Sequence, residues 1–234
     1  MTNNFSSFKM NNTHFIMKNF YNQDFINELY NIVFSKYSAP NTDATTTNEQ
    51  KYHTVSGNYN YNININNISH FEKFQDILND FNNVIRNALI ENNNKFISKK
   101  FSINLSDVEL CVTRTNTYPT EIVKSNCINI FIPLHTFPNG GTISIFPNNL
   151  QDDTPINDII DKYYNLDLVN KKQNYGNLFN YSDEDKDKLL NEEIFIDTSP
   201  GDVLVVNRNT FSRSIPNMSD QDRYCLQLIY NVTI

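Results

Sequence analysis

The residues with the clearest capacity for chemistry lie near the C-terminus, in a segment from Arg223 to Ile234 that alternates in character. Successive side chains of a strand point to opposite faces, so this segment is predicted to be a strand with one polar and one apolar face. The polar face carries Arg223, Cys225, Gln227 and Asn231, and the apolar face carries Tyr224, Leu226, Leu228, Tyr230 and Val232. An apolar outer face with an arginine on the inner face is typical of a barrel with a polar cavity.

Two interpretations of Arg223 follow from its chemistry. A guanidinium can donate two parallel hydrogen bonds to a carboxylate, so this side chain could bind an anionic ligand. It could equally form a structural ion pair with one of three acids nearby in the sequence, Asp202, Asp220 and Asp222. One charge-assisted hydrogen bond contributes about 1.5–3 kcal/mol, which alone corresponds to a dissociation constant on the order of 10 mM or weaker. An arginine by itself therefore does not imply a tightly bound ligand.

Three short motifs occur in order along the last part of the chain. Gly201-Asp202 precedes an apolar run, Pro216-Asn217-Met218-Ser219 forms a polar turn cluster, and Arg223 opens the final strand. Their order and spacing resemble the C-terminal core of the phytanoyl-CoA dioxygenase-like family of Fe(II)/2-oxoglutarate oxygenases. In that family the arginine grips the 2-oxoglutarate carboxylate, and a metal-binding histidine stands at the position that Ser212 holds here.

The resemblance extends to the middle of the chain. The run Ile130–Leu134 is followed by Asn139-Gly140 and by a second strand-like run that ends at Pro147. The family closes this second run with Gly-Ser-His, and the matching residues here are Asn148-Asn149-Leu150. The resemblance implies an α+β chain folded as a double-stranded β-helix, a jelly-roll or cupin-like barrel with N-terminal helices packed on the outer sheet. It also implies that an active member would use Fe(II) and 2-oxoglutarate as cofactors.

The iron ligands of that family are missing from the matching positions. Such a non-haem iron site needs two His and one carboxylate, and the family supplies the first two ligands as His-x-Asp or His-x-Glu. The matching window, residues 114–124, contains no His, and Glu121 has no His two residues before it. Ser212 offers only a neutral hydroxyl, which is a poor Fe(II) ligand. The sequence therefore predicts no metal, no cofactor and no catalytic residue.

Histidines elsewhere in the chain offer no better metal site. His70 and Glu72 have the formal His-x-Glu spacing, but they open an amphipathic helix in which Glu72 completes a capping box with Ser69. His135 follows a strand and is expected to point to solvent. An active Fe(II)/2-oxoglutarate-dependent dioxygenase with displaced metal ligands is the alternative interpretation.

The positions that match the family's cavity carry uncharged hydrogen-bonding groups and one arginine. The predicted ligand-binding residues are Arg223, Ser212, Tyr118, Thr115, Thr117 and Asn217. Such groups suit water, a polar neutral ligand or a singly anionic ligand better than a divalent metal, which needs carboxylates or imidazoles. The leading interpretation is a catalytically degenerate oxygenase-like protein with a non-catalytic binding or structural role. A second alternative is metal-free binding of a polar small molecule or sugar.

Composition limits the class of partner. The net charge of −7 argues against nucleic acid and anionic membranes, which call for a basic patch. No apolar run approaches the roughly 20 residues that cross a bilayer, and the first residues lack a signal-peptide pattern. The three Cys form neither a CxxC pair nor an even disulfide framework, which favours a reducing, intracellular location. The expected partner is a small polar ligand or another protein, including a second copy of this chain.

The elements that must position these residues follow from capping and periodicity. The prediction gives a helix after Asn22, an exposed loop at 38–57, a half-buried strand at 58–66, a capped helix from Ser69, strands at 108–115, 126–134 and 142–146, a helix from Thr154 and an acidic helix after Ser182. Together they predict one domain over residues 1–234. Residues 1–95 would form a mainly helical cover with an edge strand, and residues 96–234 a barrel core with a helical insert at about 154–192.

Overall fold

The strands of the protein form two antiparallel sheets. A computed structural model describes residues 13–36, 50–53, 58–62, 72–92, 102–116, 122–124, 127–136, 143–146, 158–160, 162–163, 181–207 and 210–233. The elements within these ranges, in chain order, are β1 (His14–Met17), α1 (Gln23–Lys36), β2 (Gln50–His53), β3 (Asn58–Asn62), α2 (Glu72–Asn92), β4 (Ser102–Thr113), β5 (Val123–Lys124), β6 (Ile128–His135), β7 (Ile143–Phe146), α3 (Asp183–Glu192), β8 (Ile194–Ile196), β9 (Val203–Val206), β10 (Phe211–Ser214) and β11 (Arg223–Thr233).

The larger sheet has seven strands in the order β1-β9-β6-β11-β4-β3-β2, and the smaller has four in the order β5-β10-β7-β8. Strand β11 lies between β4 and β6, and its pairing with β4 runs from Arg223 opposite Thr113 to Thr233 opposite Ser102. Helices therefore combine with antiparallel sheets, as the α+β prediction requires.

One surface of the seven-stranded sheet, called here the helix-facing surface, packs against α1 and α2. The alternation predicted for β11 is confirmed, because Tyr224, Leu226, Leu228 and Tyr230 join the main core. The helices contribute Ile26, Leu29, Val33, Ile77, Phe81 and Val84 to the same core. Burying one large apolar side chain contributes about 1.5–3 kcal/mol, so this layer is the main source of stability. The predicted cap of α1 is also confirmed, since Asn22 Oδ1 accepts a 2.9 Å hydrogen bond from Phe25 N.

The opposite surface of the seven-stranded sheet, called here the inner surface, faces the four-stranded sheet. Leu204, Val206 and Phe131 of the larger sheet pack against Ile145 and Ile196 of the smaller one. A third cluster covers the far side of the small sheet and includes Ile159, Ile160, Tyr163, Tyr181 and Leu189. The molecule is thus layered as helices, large sheet, small sheet and a second helical layer, and the site described below lies between the two sheets.

The Gly-Asp motif ties the segment before α1 to the large sheet. Gly201 has a φ of +96°, which favours glycine, and a Cβ there would lie 2.6 Å from the carbonyl oxygen of Tyr21. The buried carboxylate of Asp202 accepts hydrogen bonds from Lys18, Asn19 and Ser199. Burial raises the pKa of Asp202, but these hydrogen bonds outweigh it and hold the pKa below its ordinary value. The structure therefore gives this motif a positioning role.

Three short strands depart from the sequence-based prediction. Strand β2 lies within residues 38–57, which were expected to be a loop, β1 precedes the first helix, and β10 precedes the polar turn. Each takes its register from a partner: β1 from β9, β2 from β3, and β10 from β7. A short strand held by a distant partner has little local periodicity to reveal it. Residues 1–95 thus contribute three strands to the large sheet where one edge strand was expected.

The described helices agree with the prediction in their positions along the chain. Helix α2 begins at Glu72, and the predicted cap Ser69 lies outside the described residues. Among its described side chains, Ile77, Phe81 and Val84 are buried in the core against the large sheet. Ser182 caps α3 as predicted, since its Oγ accepts from Asp185 N at 3.2 Å. Within the described ranges, no helix combines the length and apolar character needed to cross a membrane.

Candidate functional site

Rows of polar side chains lie on the inner surface where β4 and β11 run side by side. Leu110 and Val112 of β4 belong to the helix-facing core, so the residues that alternate with them point toward the small sheet. The same holds for the residues that alternate with Tyr224 and Leu226 of β11. Three cross-strand rows result: Arg223 opposite Thr113, Cys225 opposite Cys111, and Gln227 opposite Glu109.

Arg223 is the most unusual member of these rows. Its side chain is 6% exposed, and its Nη2 donates a 2.8 Å hydrogen bond to Thr113 Oγ1. Its Nη1 is buried and has no hydrogen-bond partner within the described part of the chain. Burial lowers the pKa of Arg223, because a low-dielectric setting disfavours the charged form. The guanidinium therefore carries two unused N–H donors in the space between the sheets.

Two of the acids that could have neutralised Arg223, Asp202 and Asp222, bond to other groups. Asp202 pairs with Lys18 at 2.9 Å. Asp222 accepts from Thr115 N at 3.1 Å and lies 3.9 Å from Arg114 Nε. Over the described residues, no carboxylate forms an ion pair with Arg223. The interpretation of Arg223 as a structural ion pair with Asp202, Asp220 or Asp222 is therefore wrong.

A directed chain of hydrogen bonds runs across the neighbouring rows. Cys111 Sγ donates to Gln227 Oε1 at 3.2 Å. Gln227 Nε2 donates to Asn129 Oδ1 of β6 at 3.1 Å, and Asn129 Nδ2 donates to the Cys127 carbonyl at 3.4 Å. Burial raises the pKa of Cys111 well above its ordinary value and raises that of Cys225 to about 12. Both side chains are thus protonated thiols at neutral pH, and Cys111 serves as a donor.

Ser212 lies on the facing surface of the small sheet. It is the register partner of Ile145, and Ile145 packs against Leu204 and Val206 of the large sheet. Side chains of register partners share a face, so Ser212 is on the surface of the small sheet that faces the large sheet. Arg223 and Ser212, two of the predicted site residues, therefore lie on the facing surfaces of the two sheets.

Asn217 occupies a supporting position in the loop before β11. Its side chain is fully buried, and its Nδ2 donates to the carbonyls of Thr113 and Gln221 at 2.9 and 2.8 Å. Its Oδ1 accepts from Ser219 N and Oγ at 3.1 and 2.7 Å. Both amide hydrogens are used, so Asn217 holds the end of β4, and with it Thr113, against the turn that leads to Arg223.

The remaining predicted site residues lie at or beyond the end of β4. Thr115 is half-buried, and its backbone N–H is bonded to Asp222. Thr117 and Tyr118 lie outside the described residues, as do Glu121 of the metal-ligand window and His70. Convergence of Tyr118 with Arg223 and Ser212 on one cavity stays a prediction.

His135 packs on the helix-facing surface instead of pointing to solvent as expected. Its ring lies 5.4 Å from Tyr30 of α1 and 6.4 Å from Tyr224, centroid to centroid. It is half-buried, and burial lowers its pKa. His135 is covered because α1 packs over this end of β6, which the sequence of β6 alone does not reveal.

The described side chains of the site do not suit iron. Across the described residues, no three His, Cys, Asp or Glu side chains are grouped so that they could hold a metal ion. The inner-surface rows supply a guanidinium, hydroxyls, amides, two protonated thiols and one carboxylate, Glu109. A 2-oxoglutarate oxygenase requires two imidazoles and a carboxylate on one face of the metal, and this set contains no imidazole.

Several members of these rows were missed at the level of sequence. Thr113, Cys111 and Glu109 share a face of the segment 108–115, which was predicted to be a strand but was not divided into faces. Applying to it the alternation used for β11 would have placed all three opposite the polar face of that strand. Asn129 carried no comparable signal, because β6 is buried or half-buried on both surfaces and the residues around Asn129 form an apolar run.

Comparison with known proteins gives a fold but no close relative. Neither a protein-family model nor a curated protein matches this sequence. Among solved structures, the non-heme alpha ketoglutarate dependent epimerase SnoN from nogalamycin biosynthesis matches with a TM-score of 0.58 and 9% identity, over 93% of this chain and 77% of that chain.

Two further structures match to a similar extent. HygX from Streptomyces hygroscopicus, solved with nickel and 2-oxoglutarate bound, has a TM-score of 0.53 and 9% identity, over 93% of this chain and 82% of that chain. A Pseudomonas putida prolyl-4-hydroxylase has a TM-score of 0.53 and 9% identity, over 94% and 92% of the two chains. At such low identities the matches show the fold alone: the chain is folded like 2-oxoglutarate-dependent oxygenases.

Proposed function

We propose that this protein is a non-catalytic relative of the 2-oxoglutarate oxygenases, with a double-stranded β-helix whose inner surface binds a small anionic ligand through Arg223 without a metal. The resemblance of its Gly201-Asp202, Pro216–Ser219 and Arg223 motifs points to the phytanoyl-CoA dioxygenase-like branch. The observation that carries the proposal is the buried guanidinium whose Nη1 has no partner within the described part of the chain.

Energetics support an anionic ligand at Arg223. Removing a charged group from water costs several kcal/mol even after the protein relaxes, and buried polar groups are nearly always hydrogen-bonded. Thr113 satisfies only one arm of this guanidinium. A carboxylate would supply two acceptors to the other arm and the counter-charge as well.

The absence of imidazoles from the described part of the site supports a binding role over catalysis. Ser212 stands on the facing wall where the family carries a metal-binding histidine, and a serine hydroxyl does not replace an imidazole as an Fe(II) ligand. The neutral groups around Arg223 can hydrogen-bond a polar ligand without the charge that would hold a divalent cation.

Calorimetric titration in EDTA-containing, low-salt buffer tests the proposal, with acetate, D-gluconate and 2-oxoglutarate as separate probes. We expect at least one probe to bind, and Arg223→Gln to weaken it at least tenfold, because a charge-assisted hydrogen bond contributes about 1.5–3 kcal/mol. Arg223→Lys should fall between the two, since lysine keeps the charge but lacks the fork. Lys188→Gln, an equal charge change on the exposed side of α3, is the matched control. Equal affinity in Arg223→Gln and in the control would refute the proposal.

An active oxygenase is the second candidate function, and the observation that favours it is the description of the matched structures, which are 2-oxoglutarate-dependent oxygenases. Anaerobic reconstitution with Fe(II) separates the two functions. We expect no stoichiometric iron and no conversion of 2-oxoglutarate to succinate. Iron bound at one equivalent with succinate formation would establish the oxygenase instead.

A further inference from the structure

We infer that the ligand is an extended monocarboxylic acid whose other polar groups are oxygen acceptors, of the hydroxy-acid or sugar-acid class, and that the site discriminates against dicarboxylates. This inference rests on the proposed function, because Arg223 is taken as the group that receives the carboxylate. It adds the chemistry of the remainder of the ligand, which the rows beside Arg223 define.

The orientation of the two amides farther along the inner surface, those of Gln227 and Asn129, is fixed by the Cys127 carbonyl. The Cys127 carbonyl can only accept, so the atom of Asn129 that faces it must be Nδ2. Asn129 Oδ1 then faces Gln227, which must present Nε2 to it. Gln227 therefore turns Oε1 toward Cys111, whose thiol donates. No other assignment of these amides satisfies all three contacts.

This orientation leaves the inner surface rich in unused donors. Each of the two amide oxygens already has a donor, whereas the second hydrogen of Gln227 Nε2 is unused within the described residues. The hydroxyl of Thr113 accepts from Arg223, and its own hydrogen has no acceptor among the described residues. Together with Arg223 Nη1, these groups form a stripe that offers N–H and O–H. Its complement is a ligand that offers oxygen acceptors along its length.

The length of the stripe sets a minimum size for the ligand. Arg223 and Gln227 are two same-face steps apart on β11, and a strand rises about 3.3 Å per residue, so their Cα atoms are roughly 13 Å apart. An acetate-sized anion can contact only one end. A chain of about six carbons with a terminal carboxylate and oxygen substituents can contact both the guanidinium and the amide row.

The charge along the stripe favours one negative charge on the ligand. Arg223 is the one cation that the described rows place on the inner surface. A second carboxylate on the ligand would leave water without a second cation in those rows to receive it. A neutral hydroxyl or carbonyl oxygen meets the same amide donors without that cost.

Comparison of three probes of similar length, each added alone to the full chain in EDTA, tests the inference. D-gluconate has one carboxylate and a row of hydroxyls, hexanoate has one carboxylate and no acceptors, and 2-oxoglutarate has two carboxylates. We expect gluconate to bind about tenfold more tightly than either of the others, a ratio that corresponds to ~1.4 kcal/mol.

Variants locate the preference on the stripe. Gln227→Leu should remove most of the preference for gluconate over hexanoate, whereas Asn231→Leu, an amide loss at the exposed end of the same strand, should retain it. Far-ultraviolet circular dichroism establishes that each variant is folded.

Each remaining outcome has a distinct meaning. Tighter binding of 2-oxoglutarate than of gluconate, still dependent on Arg223, would overturn this inference and leave the proposed function standing. Hexanoate binding as tightly as gluconate would do the same. Binding of no probe, or binding that is unaffected by Arg223→Gln, would overturn both.

Discussion

Two arginines, Arg213 on β10 and Arg223 on β11, are buried in the two sheets, and they differ in what neutralises them. Arg213 donates from Nε and Nη2 to the two carboxylate oxygens of Glu193, at 2.6 and 2.7 Å. The two side chains of that pair are 10% and 1% exposed. Arg223 is as buried, but among the described residues its side chain is bonded only to the hydroxyl of Thr113.

The difference separates a structural arginine from an arginine that can bind a ligand. A bidentate pair has no capacity left for another anion, and it anchors the residue after α3 to the small sheet. An arginine whose second arm has no acceptor contributes little to stability and retains its capacity for an external carboxylate. Removing the charge of Arg213 should therefore destabilise the protein, whereas removing the charge of Arg223 should not.

The largest loss of stability is expected when the Arg213–Glu193 ion pair is broken. Glu193→Gln removes the counter-charge and leaves Arg213 buried, so the free energy of unfolding should fall by about 3–5 kcal/mol. Urea titration followed by tyrosine fluorescence measures the loss. Glu192→Gln, the exposed neighbour at the end of α3, is the control and should change stability very little. Equal losses in the two variants would mean that the ion pair does not stabilise the small sheet.

A second test contrasts the two surfaces of β11 beside Arg223. Leu228 is fully buried on the helix-facing surface, so Leu228→Ala should leave a cavity and cost about 2–5 kcal/mol. Gln227→Ala, on the half-buried inner surface, should cost much less. Denaturant midpoints of the two variants decide the matter, and a larger cost at Gln227 would mean that the inner surface is a packed core with no room for a ligand.

Replacing each arginine with methionine tests the same difference between Arg213 and Arg223, with a smaller expected change in stability. Arg223→Met removes a buried charge without orphaning a carboxylate, so stability should be unchanged or rise by up to about 2 kcal/mol while anion binding is lost. Arg213→Met is the matched control and should destabilise, because Glu193 would remain buried and unpaired. Thermal unfolding without ligand gives both values. A loss of stability in both variants would show that Arg223 has a structural role after all.

The two arginines also show how far the sequence could be interpreted. The faces of β11 were predictable, because alternation is local and Arg223 and Leu228 differ by an odd number of positions. The hydrogen-bond partner of Arg223 was not predictable from the sequence. Asp222 is adjacent in sequence, but neighbouring residues in an extended segment point to opposite sides, and Asp222 bonds to Thr115 N instead.

The pairing of Arg213 with Glu193 depends on how β8 and β10 flank β7, which is a matter of tertiary structure. The same limit explains β10 itself and the position of Ser212 on the inner wall. Both are defined by register with β7 and not by any local pattern. The structure gives both motifs that were singled out from the sequence a positioning role: Gly-Asp ties the segment before α1 to the large sheet, and Pro-Asn-x-Ser fixes the turn that leads to Arg223.

The smallest effect on stability is expected from His135. It tests whether the helix-facing surface disfavours a positive charge, whereas the inner surface holds the charge of Arg223. His135 lies opposite Tyr224, the residue next to Arg223, and burial lowers its pKa below the ordinary value of about 6.5. The folded state therefore binds a proton less readily than the unfolded state. Stability is fully present above pH 6.5 and declines as the pH falls from there toward the lowered pKa.

His135→Phe keeps a ring between Tyr30 and Tyr224 but cannot be protonated. The variant should thus lose less stability than the wild type between pH 7 and pH 5.5, as measured by urea titration at both pH values. The pKa of His14 is lowered for the same reason, so the wild-type slope should be reduced and not abolished. An unchanged slope in His135→Phe would mean that His135 accepts a proton in place, and that both surfaces of the sheet tolerate a cation at this end.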